Sequence, residues 1–198
     1  MLARRALPLL ALPAIAAAQA PGYAWAVMRQ GSRIGTHRVG FTQRGEELVA
    51  ESELVITPRV LGVVVYRYEH RATEVTRRGR FVSAQSHHNR NGRIVEAQAS
   101  VQADHVIMRH TGGELRMPAQ AAPLSWWEPA RFGAVPLFGM TEPKLLELRV
   151  AREAQPGGAT RIRTEGDVQA TLEYDARGRW VGYSVVGDDG TLVTYAPA

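Results

Sequence analysis

Across residues 61–80 the chain alternates. Val64, Tyr66, Tyr68 and Ala72 fall on one side of an extended backbone, while Arg67, Glu69, Arg71 and Thr73 fall on the other. That period of two predicts a long strand with one wet face. Arg77-Arg78-Gly79-Arg80 then turns the chain into a second extended run over 81–90. Weaker versions of the same alternation occupy 23–30, 34–44, 48–57, 94–103 and 106–110, with Gln30-Gly31-Ser32, Gly45-Glu46, Asn91-Gly92 and Thr111-Gly112-Gly113 as turns. Further runs cover 145–152, 160–166, 168–174, 180–186 and 192–195. About a dozen strands at roughly 8–12-residue spacing, with helix nearly absent, predict an all-β fold. It is read as an antiparallel, mostly up-and-down meander curved into a half-barrel or open sandwich.

The pattern lapses between Met117 and Pro143. Prolines at 118, 123, 129, 136 and 143 forbid a continuous strand or helix there. The same stretch holds Trp126, Trp127, Phe132 and Phe138, which are too apolar to leave in water. An irregular crossover that packs its aromatics onto the sheet is expected.

Residues 1–20 carry Arg4 and Arg5, an apolar middle from Ala6 to Ala17, and Ala18-Gln19-Ala20 as a small-x-small cleavage site. This is the pattern of a signal peptide, too short and Pro-broken for a membrane anchor, and it predicts a periplasmic or secreted protein with one β domain over 21–198. Arg4-Arg5 also fits a twin-arginine signal. Removing the leader lowers the net charge from +5 to +3. The arginines are spread along strands beside acids and form no patch, which speaks against nucleic acid. With no cysteine, disulfides, thiolate metal sites and thiol nucleophiles are excluded.

The candidate site residues are Tyr66, Tyr68, His70, Glu74, Trp126 and Trp127. His70 and Glu74 share the register of Tyr66 and Tyr68, but four residues of strand span about 13 Å, so the two cannot touch. Each is expected to be hydrogen-bonded to an Arg or Tyr of a neighbouring strand. Trp126 and Trp127 either line a ligand cleft or plug an open sheet edge. His87 and His88, adjacent on a strand, point to opposite faces, and His37, His105 and His110 stand apart in sequence. These histidines are read as solvated, with no metal site. Nucleophile elbows and phosphate-cradling glycine loops are absent, and no cofactor is expected.

The segments YAWAVMRQGSRIGTHRVGF, LGVVVYRYEHRATEVTRRGRFVS, the box Ser125-Trp126-Trp127-Glu128-Pro129, and GDVQATLEYDARGRWVGYSV resemble the secreted bacterial domain-of-unknown-function family number 6134. Tyr66 to Arg71 and Tyr174 to Trp180 are the most specific pieces. The chain departs from the family pattern in the Trp box and at 140–144. The resemblance implies an exported β-rich protein and brings no activity with it. The expected function is therefore that of a non-catalytic envelope protein binding an apolar small molecule, a lipid or an envelope partner in its concave face. The alternatives are a hydrolase- or lyase-type enzyme using His70 and Glu74, and a small outer-membrane β-barrel.

Overall fold

Tight turns set most of the strand pairing. Gln30, Arg78 and Asn91 take positive φ (49°, 50° and 52°) ahead of Gly31, Gly79 and Gly92, the backbone of two-residue hairpin loops that match strand twist. The computed structural model describes residues 21–187 and 189–198, so the expected leader lies outside the described residues. In chain order the strands are β1 (Tyr23–Arg29), β2 (Ser32–Arg44), β3 (Glu47–Ile56), β4 (Arg59–Val60), β5 (Val63–Val64), β6 (Tyr68–Arg77), β7 (Arg80–Arg90), β8 (Arg93–Val101), β9 (His105–His110) and β10 (Gly113–Pro118). They continue as β11 (Ala122–Pro123), β12 (Leu137–Gly139), β13 (Lys144–Leu145), β14 (Leu148–Ala154), β15 (Thr160–Gly166), β16 (Ala170–Tyr174), β17 (Trp180–Val186) and β18 (Leu192–Pro197).

Thirteen of these form one antiparallel sheet, in the order β10-β9-β8-β7-β6-β3-β2-β1-β18-β17-β16-β15-β14. It is two meanders joined where the first strand meets the last: Trp25 lies opposite Pro197 and Val27 opposite Tyr195. The edge strands β10 and β14 do not pair with each other, so the sheet is an open, curved trough.

Two expectations need correction. Residues 61–80 are not one strand. Leu61 and Gly62 turn at positive φ (49° and 82°) between the short β4 and β5, and residues 65–67 carry no ladder before β6 begins at Tyr68. Pro58 and Gly62 interrupt the run that alternation alone suggests. The second correction is β10, a strand over residues 113–118 that pairs with β9 although its pattern is too short to stand out.

The 119–147 crossover runs along the inside of the trough, with a single 3-10 turn at Pro129–Arg131. On one flank Phe138, Met140, Ala121 and Ala122 bury against Phe81, Ala99, Val106 and Met108. On the other, Phe132, Leu137 and Trp126 pack with Ile162, Leu172, Tyr174 and Trp180. Trp127 covers Phe41, 6.3 Å away. Each large side chain buried this way contributes about 1.5–3 kcal/mol. The crossover thus fills much of the concave face.

Candidate functional site

Pairing stacks the inward side chains into rows across the sheet. One row runs Trp25, His37, Leu54, His70, His88, Val95, each opposite the next. Directly opposed residues share a face. Three histidines distant in sequence therefore look into the same trough. One row nearer the rim, Tyr183, Tyr195, Val27, Gly35, Ile56, Tyr68 and Arg90 follow one another in the same way. The rings lie close: Tyr68 to His88 is 4.6 Å, His70 to His88 6.2 Å, His37 to Tyr195 5.5 Å, and Tyr183 to Tyr195 4.7 Å. Tyr68, His70, Leu54, Ile56 and Tyr195 keep part of their surface exposed, and the space in front of these two rows is the hollow. Beside His88, a cavity of about 270 Å³ opens between Arg93, Val95 and the end of the crossover, Thr141–Lys144.

The imidazoles and phenols of the two rows are uncharged, while Arg90 closes one row and Arg93, Glu142 and Lys144 stand at the cavity beside His88. Burial lowers the His37 pKa to about 3, helped by nearby His70, and lowers that of His70 to about 4, helped by His88 and His87. His88 is lowered as well, again chiefly by burial. Burial raises Tyr68 to about 12 and lifts Tyr183 and Tyr195 far above the ordinary phenol value. At neutral pH every one of these groups is an uncharged donor or acceptor. His37 Nε2 meets Ser52 Oγ at 2.9 Å. His37 Nδ1, His70 Nε2 and Ser86 Oγ are buried with no hydrogen-bond partner among the described residues, whereas the His88 ring is set against the Thr141 backbone. Buried polar atoms are rarely left so, and a ligand or ordered water would complete them.

Glu74 does something else. Its row is Phe41, Ala50, Glu74, Ala84, Ala99, Met108, beneath the crossover. Arg131 Nη2 lies 2.6 Å from Glu74 Oε1, with the two side chains only 7% and 5% exposed. Ser125 Oγ donates to the other carboxylate oxygen. This buried, hydrogen-bonded ion pair latches the crossover into the trough.

Residues 25–198 match the family described as Domain of unknown function (DUF6134). The chain belongs to that family. A crystal structure titled a beta-barrel-like protein of the domain of unknown function DUF1849, from Brucella abortus, is similar to the DUF6134 chain with a TM-score of 0.59 at 8% identity, covering 89% of this chain and 94% of that one. At that identity the likeness carries the fold alone. No curated protein matches.

Of the six candidates in the DUF6134 chain, Tyr68 and His70 line the hollow, and Tyr66 is half-buried in the 65–67 link at its mouth. Glu74 belongs to the latch, and its partner comes from the crossover rather than from a neighbouring strand. Trp126 stacks on Phe132 at 6.1 Å and touches Tyr183 at 5.0 Å, so it backs the hollow from the crossover side; its carbonyl accepts from Tyr174 Oη at 2.8 Å. Trp127 packs on Phe41 away from it. The expectation of solvated histidines fails for His37 and His88, which are buried, while His87 is exposed. Among the described residues, no three His, Cys, Asp or Glu side chains gather as a metal set.

The outer face of the sheet is of a different character. Arg38, Glu53, Arg71, His87 and Glu96 form an opposed row, with Arg71 paired to Glu53 at 2.9 Å and His87 to Glu96 at 3.3 Å. It floors a polar groove of about 510 Å³. A lipid-facing barrel wall needs an apolar band, and this row of charges breaks one.

Proposed function

We propose that the DUF6134 chain is an exported, non-catalytic binding protein whose hollow holds one neutral small molecule with an apolar body and a polar end. The observation that carries this reading is the row His37, His70, His88, in which His37 Nδ1 and His70 Nε2 are buried without a partner and which shares its face of the sheet with Tyr68 and Tyr195. Uncharged imidazoles and phenols offer hydrogen bonds without a counter-charge, which suits a neutral polar group. Leu54 and Ile56 supply the apolar wall. Export is supported by the leader pattern of residues 1–20. The enzyme reading loses its second group, because Arg131 and Ser125 engage both oxygens of Glu74.

The test uses Nile red, a neutral apolar dye, with native mass spectrometry on protein taken from its own cells without detergent. The parent should brighten the dye saturably or carry a neutral adduct that solvent extracts. Leu54→Trp, which fills the hollow, should weaken dye binding at least tenfold with the far-UV spectrum unchanged. Equal binding by parent and filled variant overturns the proposal.

A further inference from the structure

The β4–β5 hairpin presents an apolar point to solvent. Leu61 is 99% exposed, Val63 65% and Val65 56%. Leu61 also sits at φ 49°, a left-handed conformation in which glycine or asparagine is at ease and leucine is not. A residue disfavoured both by its exposure and by its backbone is kept for what its side chain meets outside the chain.

The tip is held in place. Arg59 Nη1 donates to the Gly62 carbonyl at 2.9 Å, and the Val65 amide donates to the Pro58 carbonyl at 3.1 Å. Below it, the Arg67 amide donates to Asn91 Oδ1 at 2.8 Å, and the Asn91 amide returns to the Arg67 carbonyl at 2.9 Å. This ties the hairpin base to the β7–β8 turn, after which β8 opens with Arg93 and the 49% exposed Ile94. The apolar point therefore stands near Arg59, Arg67 and Arg93, against which the neighbouring acids are Glu69, 3.7 Å from Arg67, and Glu142 across the small cavity from Arg93. Apolar side chains ahead of a ring of arginines are the arrangement that enters a lipid surface, acyl chains taking the first and headgroup phosphates the second.

We infer that this hairpin inserts into the surface of an anionic lipid bilayer. The inference rests on the exposed tip and stands apart from the occupancy of the hollow. Tyr66 and Tyr68 follow the hairpin directly, so a docked tip would bring the mouth of the hollow to the lipid.

The chain has no cysteine, so Leu61→Cys can carry a single environment-sensitive dye. Added to vesicles of phosphatidylglycerol and phosphatidylcholine in equal parts, the labelled tip should shift to the blue and brighten. Pure phosphatidylcholine should give a smaller change, and high salt should reverse it. Glu46→Cys, on the β2–β3 turn at the far end of the trough, should not respond. In flotation of unlabelled protein, Leu61→Asp should lose at least tenfold in vesicle binding with its melting temperature unchanged, and His70→Gln should float like the parent. No blue shift at low salt, or equal flotation of the parent and Leu61→Asp, overturns the inference and points to a protein partner for the tip, without bearing on the hollow.

Discussion

Replacing Arg131 by methionine tests whether the crossover is latched by charge. The change keeps much of the aliphatic stem but removes the guanidinium 2.6 Å from Glu74, leaving a 5% exposed carboxylate with Ser125 as its one donor. Stranding one member of a buried pair costs about 3–5 kcal/mol. For a domain of this size about 1 kcal/mol moves the melting temperature by roughly 2–4 °C, so Arg131→Met should melt roughly 10 °C below the parent. Adding Glu74→Gln removes the stranded charge and should recover about half of the loss or more. Urea unfolding of the four proteins at one pH gives the coupling directly. If the double variant is no more stable than Arg131→Met, or if Arg131→Met melts within about 2 °C of the parent, the ion pair is not what holds the crossover.

Acid should weaken the fold through its histidines. Because burial lowers the His37 and His70 pKa values to about 3 and about 4, the unfolded chain binds protons that the folded chain refuses, so stability declines as pH falls from about 6.5 toward that range. By pH 5 the loss is on the order of 2 kcal/mol for each ring, and His70→Gln should remove about half of it in urea titrations at the two pH values. Gly35 and Gly40 on β2 should differ sharply. A Cβ at Gly35 would lie 2.1 Å from the Val55 carbonyl oxygen, whereas one at Gly40 meets nothing within 4 Å. Gly35→Ala should therefore cost over about 2 kcal/mol and Gly40→Ala within about 0.5 kcal/mol of nothing, by thermal melts. Tyr174→Phe, which deletes the bond to the Trp126 carbonyl, should cost about 1 kcal/mol in the same assay.

Alternation and turn chemistry made most of the strands legible. Asn91-Gly92 and Arg78-Gly79 sit where their sequences put them. The rows across the sheet were not legible, and the histidine cluster lives in those rows. Counting back from the Arg78-Gly79 turn at strict register sets His70 opposite His87. A bulge between Val75 and Thr76 moves the partner by one, to His88, and thereby carries the buried ring into the trough and the other into solvent. A second bulge, at Val27/Met28, likewise sets Trp25 rather than Ala24 opposite His37. The pairing of β3 with β6 passes over the 57–67 link, whose length fixes no register at all. Arg131 was hidden for another reason. Its partner is 57 residues away by number, and nothing in a proline-broken stretch marks one arginine as buried.

An open sheet also poses a question about shape that bears on the hollow. Closed barrels take their curvature from the pairing of first and last strands, but here β10 and β14 stay apart and the crossover lies between the walls instead. Contacts run from the latch to the hollow: Arg131 leads to Phe132, which stacks on Trp126; Trp126 touches Tyr183 at 5.0 Å; Tyr183 touches Tyr195 at 4.7 Å; and Tyr195 meets His37 at 5.5 Å. If the plug sets the spacing of the two walls, Arg131→Met should weaken Nile red binding severalfold at a temperature where the variant is fully folded, although Arg131 lines no part of the hollow. Glu74→Gln with Arg131→Met should restore binding together with stability, because what the dye senses is the seating of the crossover. Unchanged binding by the folded single variant would mean that the sheet holds its own curvature and that the latch serves stability alone.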